Sequence, residues 1–320
     1  MRARAAARPF DPQDSQAVHF IPSSYSPGMA FETISVGDLT AVIGDNGEHQ
    51  THRAGYNGVW SLKHRSLDRN LFVPSYAGLN LEHIFDGAPP FHREVFFEPR
   101  HAPMNLSKME SDTVQLHQPP TPTFELESWS RFSLKAPHYL DLDFVCRPHQ
   151  HVFDYGYIGL FWASYINAPE DKSLYFLGGD DPENPMWLQY CTQFHNDQST
   201  VLSSSDDIEL SVSEDYRDAL FRHVSQLRYR FPFYYGNFGD LVWIVMFHSD
   251  QRVRFSHSPS GGGANRERKT SNPAWDYQLI IPEFEVPERY RLRVRTVLRP
   301  RCSREEIFAE YERWTKELAG

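Results

Sequence analysis

From about Ile34 to Leu298, apolar and polar residues repeat with a period of two, segment after segment. That is the pattern of a strand with one buried face and one wetter face. "ISVGDLTAVIG" reads as a strand pair closed by the turn "DNGE", and "GVWSLKH" and "RNLFVPSYAGLN" follow. "FELESWSRFSLKAPHYLDLDFVCRP" sets Phe124, Leu126, Leu140, Leu142 and Phe144 against acids and polars, and turns at "KAPH". "DTVQLHQPP", "DIELSVS", "LVWIVMF", "QRVRFSHS", "YQLIIPEF" and "YRLRVRTVLRP" are further strands. A period of two cannot settle as helix, so the sequence predicts an all-β, antiparallel domain. Composition agrees: 23 prolines mark strand ends, and 14% aromatic residues suit pleated surfaces.

Helical signals are few. "REEIFAEYERWTKELAG" carries one, with Ser303 as N-cap, Glu306 three residues later and glycine at the end. This predicts a C-terminal helix over 303–318. "SEDYRDALFRHVSQL" reads as a second helical stretch. No linker-like shift or fixed-period repeat divides the chain. We therefore expect a poorly ordered N-terminal extension over 1–30 and a single domain over 31–320.

A formal net charge of -10 argues against nucleic acid as a partner, because such binding needs a basic footprint. No apolar run approaches the ~20 residues needed to span a bilayer, so no membrane partner is expected. Cys146, Cys191 and Cys302 are odd in number and far apart, which suits free thiols and a cytoplasmic protein. GxSxG, HExxH, P-loop and GxGxxG motifs are all missing from the sequence. No cofactor is expected.

The order of the pieces resembles the galactose mutarotase-like superfamily, which includes aldose 1-epimerases and some polysaccharide lyase domains. The family's opening strand, glycine turn and "SL" strand are similar to "LTAVIGDNGEHQTHRAGYNGVWSLKHRSLDRNLFVPSYAGLN". Its histidine-bearing loop is similar to "DGAPPFHREVFFEPR", with His92 in the histidine place and Arg93 where the family has glycine. The middle-strand motif corresponds to "GLFWASYINAP", which keeps Tyr165 and Asn167 but no histidine. The late strand is similar to "WDYQLIIPEFEVPERYRLRV", where Asp276, Gln278 and Glu283 compete for the family's carboxylate. The resemblance implies a β-supersandwich with a C-terminal helix. It also implies a sugar or oligosaccharide ligand and acid–base chemistry of the epimerase kind. A lyase acting on an acidic sugar and a non-catalytic carbohydrate-binding protein stand as alternatives.

Within that frame His92 and Asp276 are the expected proton-transfer pair, with His195 of "YCTQFHNDQST" as substitute donor. "AGYNGVW" and "GLNLEHIFDG" offer Tyr56, Asn57, Asn80, Glu82 and His83 to sugar hydroxyls. Trp162, Tyr165 and Trp275 are expected against the apolar face of a sugar ring. "SPSGGGANRERKTSNPAWDYQ" reads either as a flexible loop or as a lid at a pocket rim. As a lid it would face an anionic group with Arg266, Arg268 and Lys269, and return through Asn272. His149 and His151 of "PHQHVFD" are the best seed for a metal, with Asp154 or His195 completing it; no metal is expected, because nothing fixes a third ligand.

Overall fold

The computed structural model describes residues 30–90, 93–179, 181, 183–216, 220–248 and 252–319. The expected extension over 1–30 lies, but for Ala30, outside these residues. β1 (Phe31–Val36), β2 (Leu39–Gly44) and β3 (Gly58–His64) form a small antiparallel sheet. β4 (Asn80–Phe85) leads to two single-turn helices, α1 (Arg93–Phe96) and α2 (Glu98–His101). The chain then builds β5 (Asn105–Glu110), β6 (Thr113–Gln118), β7 (Leu126–Lys135), β8 (Tyr139–Pro148), β9 (Tyr157–Ala163) and β10 (Leu174–Gly178). β11 (Met186–Tyr190), β12 (Thr200–Ser203), β13 (Val224–Tyr229), β14 (Phe233–Phe238), β15 (Leu241–Phe247) and β16 (Val253–Ser258) follow. A small hairpin of β17 (Ala264–Asn265) and β18 (Thr270–Ser271) precedes β19 (Ala274–Pro282), β20 (Tyr290–Pro300) and α3 (Arg304–Ala319).

Hydrogen bonding runs through a 15-stranded sheet in the order β4-β9-β19-β16-β12-β13-β10-β14-β15-β20-β8-β7-β6-β5, with β11 added to β10. The pairs are antiparallel except β12 with β13. This sheet folds over on itself into two layers, because rings from both ends meet between them. Phe144 of β8 lies 4.8 Å from Trp162 of β9, and Trp243 of β15 lies 6.1 Å from Trp275 of β19. β15 is buried along its whole length, having the second layer on one face and α3 on the other. Ile307 and Trp314 of α3 pack there on Ile244 and Val297.

The expected C-terminal helix is present. Ser303 Oγ accepts from Glu306 N at 3.2 Å while Glu306 Oε2 accepts from Ser303 N at 2.9 Å, the reciprocal capping of its first turn. The helix expected over "SEDYRDALFRHVSQL" does not form among the described residues. Leu220–Arg222 makes one 3-10 turn and Val224–Tyr229 is a strand beside β12. There tertiary pairing overrides local propensity. "DIELSVS" is extended but joins no ladder.

The architecture is the expected antiparallel β-sandwich with a C-terminal helix. The face of β4, β9, β19 and β16 opposite the one packed between the layers carries the polar side chains described next.

Candidate functional site

β4 gains its functional side chain from a bulge. Leu81 pairs with Trp162 and His83 with Phe161, so Glu82 is an extra residue with no partner across the ladder. A bulge of this kind re-aims a side chain while the strands either side keep register. Asn57 fixes it from the next layer: its side chain accepts from Leu81 N at 3.1 Å and donates to Leu81 O at 2.9 Å. Asn80 Oδ1 in turn accepts from Asn57 N. Asn57 therefore holds backbone with both ends of its amide, whereas Asn80 does so with Oδ1 alone and its Nδ2 is buried without a hydrogen-bond partner.

Glu82 is 5% exposed. Arg100 Nη1 donates to its Oε1 at 3.0 Å, the Tyr165 hydroxyl donates to the same oxygen, and His83 Nε2 lies 3.4 Å from Oε2. Burial alone would raise the Glu82 pKa, but His83, Arg100 and Tyr165 outweigh it and hold the carboxyl below its usual range. Arg100 is presented by α2, whose carbonyls at Pro99 and Ala102 are tied down by the amides of Asn46 and Gln118. The guanidinium also lies 4.2 Å over the Tyr56 ring, and Tyr56 stacks on Tyr76 at 4.5 Å. His83 is oriented by its Nδ1 donating to Phe96 O.

Asp276 enters the same face from β19 and is 4% exposed. Its Oδ1 accepts from Ser164 N at 2.8 Å, which leaves Oδ2 for a ligand. Burial pushes its pKa well above the ordinary carboxylate value, the Ser164 amide opposes this, and the Glu82 charge adds to the rise. The surroundings of Asp276 thus favour its protonated form, and those of Glu82 its ionised form. Tyr165 is likewise held protonated by burial and by Glu82, and remains a donor.

Beside Asp276 on the same face stand Gln278 and, across the ladder, Ser256. Gln278 Nε2 donates to Thr200 Oγ1 and Ser256 Oγ, while its Oε1 is buried with no hydrogen-bond partner. His195 is exposed at the rim, on the β11–β12 loop, sharing a 3.0 Å hydrogen bond between Nδ1 and Ser258 Oγ. Protein crowding one side of the ring lowers its pKa; the Glu82 charge opposes that, and His223 and His83 reinforce it. Arg53 is also exposed, 5.3 Å over the Tyr76 ring.

The sequence expectations thus divide. Asp276, His195, His83, Tyr56, Tyr165 and Gln278 come together. Trp162 and Trp275 do not: both are fully buried between the layers, Trp162 stacked on Tyr277 at 5.1 Å. Strand parity explains it, since Asp276 and Gln278 on one face send Trp275 and Tyr277 to the other. Asn167 and Asn272 tie loops together. Asn167 bonds Asn70 O and Asn265, and Asn272 bonds Ala168 N and Gly262 O. Arg93 opens α1, and His92 lies outside the described residues. The triple-glycine stretch forms the β17–β18 hairpin, and a Cβ on Gly262 would meet Val73 at 3.2 Å. Its turn exposes Arg266, Arg268 and Lys269, of which Arg268 pairs with Glu170 at 3.4 Å. Glu283, the third contender for the late-strand carboxylate, lies just beyond the end of β19.

Glu82 is the residue that sequence reasoning placed only among hydroxyl partners. The signal was a carboxylate inside "NLEHIF", a strand otherwise buried throughout. His149 and His151 do not converge. His149 bonds Glu127 at 2.8 Å and His151 lies against Phe284. No group of three ligating residues that could hold a metal occurs among the described residues. None of the described helices is long and apolar enough to cross a membrane.

No protein-family model and no curated protein sequence matches the chain. Solved structures do resemble it in fold. An α-N-acetylgalactosaminidase of Bifidobacterium bifidum, solved with GalNAc, has a TM-score of 0.50 at 10% identity; the match covers 89% of this chain and 39% of that one. An aldose epimerase homologue of C. elegans matches at a TM-score of 0.47 and 7% identity, over 84% of this chain and 98% of that one. A heparan sulfate lyase of Pedobacter heparinus matches at 0.44 and 10% identity, over 83% and 34%.

Proposed function

We propose that this protein is a carbohydrate-active enzyme that opens and recloses a sugar ring by acid–base chemistry at the anomeric carbon. The observation that carries the reading is a pair of buried carboxyl groups on one face, Glu82 bonded by Arg100 and Tyr165 and Asp276 by the Ser164 amide alone, whose surroundings displace their pKa values in opposite directions. Such a split assigns a base and an acid within one site. The fold's carbohydrate-processing neighbours, one of them solved with GalNAc, supply the substrate class.

In this reading Glu82 takes the proton of the anomeric hydroxyl while Asp276 gives its proton to the ring oxygen. The bond between the anomeric carbon and the ring oxygen breaks, and a carbonyl forms. Rotation about the next carbon–carbon bond presents the other carbonyl face. Both proton transfers then reverse as the ring closes. Two protons move and no electrons leave the sugar. Tyr165 and Arg100 fix the base, Tyr56 and Tyr76 offer an aromatic wall, and His195 at the rim takes a hydroxyl.

Polarimetry on freshly dissolved α-D-galactose and α-D-galacturonic acid tests this. The protein should speed the optical change for at least one of them, and Glu82→Gln or Asp276→Asn should abolish the acceleration. Acceleration that survives both substitutions would sink the assignment. An unsaturated, ultraviolet-absorbing product from an acidic oligosaccharide would favour the lyase alternative, and binding without turnover the binding protein.

A further inference from the structure

Residues 204–216 cross the face of β16, β19, β9 and β4 without joining it. Asp206 makes a two-point ion pair with Arg254 of β16, at 2.7 and 3.1 Å, with side chains 1% and 3% exposed. Arg254 also donates to Ile208 O. Ile208, Leu210 and Val212 then turn inward onto the apolar cluster that includes Phe85, Tyr157, Phe161 and Ile280, while Asp207, Glu209 and Ser211 face solvent. At the far side Ser213 N donates to Gly87 O at 3.0 Å, just past the end of β4. Gly87, at φ +93°, permits this: a Cβ there would stand 2.4 Å from Ser211 O. The segment is an apolar strap from β16 to β4, lying over β19 and β9.

Register places the strap relative to the acid–base pair. Ser256 pairs with Asp276, and Arg254 with Gln278. The strap's anchor is therefore two residues along the strands from Asp276, about 7 Å. In the other direction Tyr165 bridges Ala274, again two residues away, and the Tyr56–Tyr76 stack lies against Tyr165. Asp276 thus lies between the strap's anchor and the tyrosine cluster, two residues along the strands from each.

We infer that the strap sets substrate length: the site admits one terminal sugar ring and denies the internal rings of a chain laid along the sheet. This rests on the acid–base reading above and adds a specificity determinant to it, the Asp206–Arg254 anchor. The exposed opening beside His195 is where the rest of a longer saccharide would leave the protein.

Saturation-transfer NMR on the full chain tests it, with D-galactose, D-galacturonic acid and the linear β-1,4-galactotriose and α-1,4-trigalacturonic acid as probes. In the wild-type protein the trimer should receive saturation on one terminal ring alone, and bind no tighter than the monosaccharide. In Asp206→Ala saturation should spread to the middle ring, with trimer affinity rising about tenfold. The wild-type map stands even if that variant folds poorly. Saturation over all three wild-type rings, with turnover still lost in Glu82→Gln, overturns the strap and leaves the acid–base reading intact. If no probe binds, both fall.

Discussion

Two faces of this molecule are rich in charge, and they use it differently. On the outer face of β7, β8 and β20, beside the end of α3, carboxylates have cations of their own. Asp143 takes two hydrogen bonds from Arg291, and Asp141 takes two from Arg295 and one ion pair from Lys135. These groups are partly exposed, with side-chain exposures of 22% and 19% for the two aspartates. On the face of β4 and β19, Glu82 and Asp276 are 5% and 4% exposed, and Arg100 pairs with Glu82. Matched charges in partial water contribute little and do little chemistry. Here burial raises the Asp276 pKa and the Glu82 charge adds to it, while His83, Arg100 and Tyr165 hold Glu82 low, and that difference in partners separates their proton affinities.

The sharpest break between the faces should be in turnover. Glu82→Gln and Asp276→Asn should each lower it by ~10²–10⁴, the range for losing a proton-transfer group, while Asp143→Asn should leave it unchanged. Anomer exchange followed by NMR reads all three. Next in size is Arg100→Met, which leaves Glu82 buried without its cation. Breaking such a pair costs about 3–5 kcal/mol, visible in urea unfolding, and Glu82 should then hold its proton to higher pH. The acid limb of the rate profile should move upward accordingly. An unmoved limb would mean that Arg100 does not set the charge of Glu82.

A smaller, pH-linked effect belongs to α3. Burial would raise the Glu310 pKa, but His138, Tyr139, Arg313 and Arg299 together lower it from 4.5 to about 2. A depressed folded-state value stabilises above the unfolded pKa and is lost as pH falls through the folded one. Helix docking should therefore weaken between about pH 4.5 and 2, by about 3 kcal/mol in all. Near-ultraviolet dichroism of Trp314, buried under α3, should report it, and Glu310→Gln should flatten the transition. The smallest effect is Asp143→Asn on stability, ~0.2–1 kcal/mol and weaker in salt.

How much of this was legible in the sequence depended on burial. β7, β8 and β20 alternate because one face is wetter than the other, and their period announces them. β9 and β4 are buried on both faces, so the period vanishes there and composition takes its place. The strap misled in the opposite direction. "DIELSVS" alternates because it lays one side on a finished sheet, and nothing local distinguishes that from a strand inside a ladder. Trp275 and Asp276 both looked like site residues, yet neighbours on a strand cannot share a face. The Glu82 bulge could not be read at all, since it exists only in the pairing of β4 with β9 and in the grip of Asn57.

The acid and the base of this site differ in that Asp276 holds its proton well above the ordinary carboxylate range while Glu82 loses its proton below it. Side-chain carboxyl ¹³C shifts, assigned by comparison with Asp276→Asn and Glu82→Gln, measure both directly across a pH titration. Asp276 should titrate well above the usual carboxylate range and Glu82 below it. Two carboxyls titrating together near their ordinary values of about 4 would contradict it.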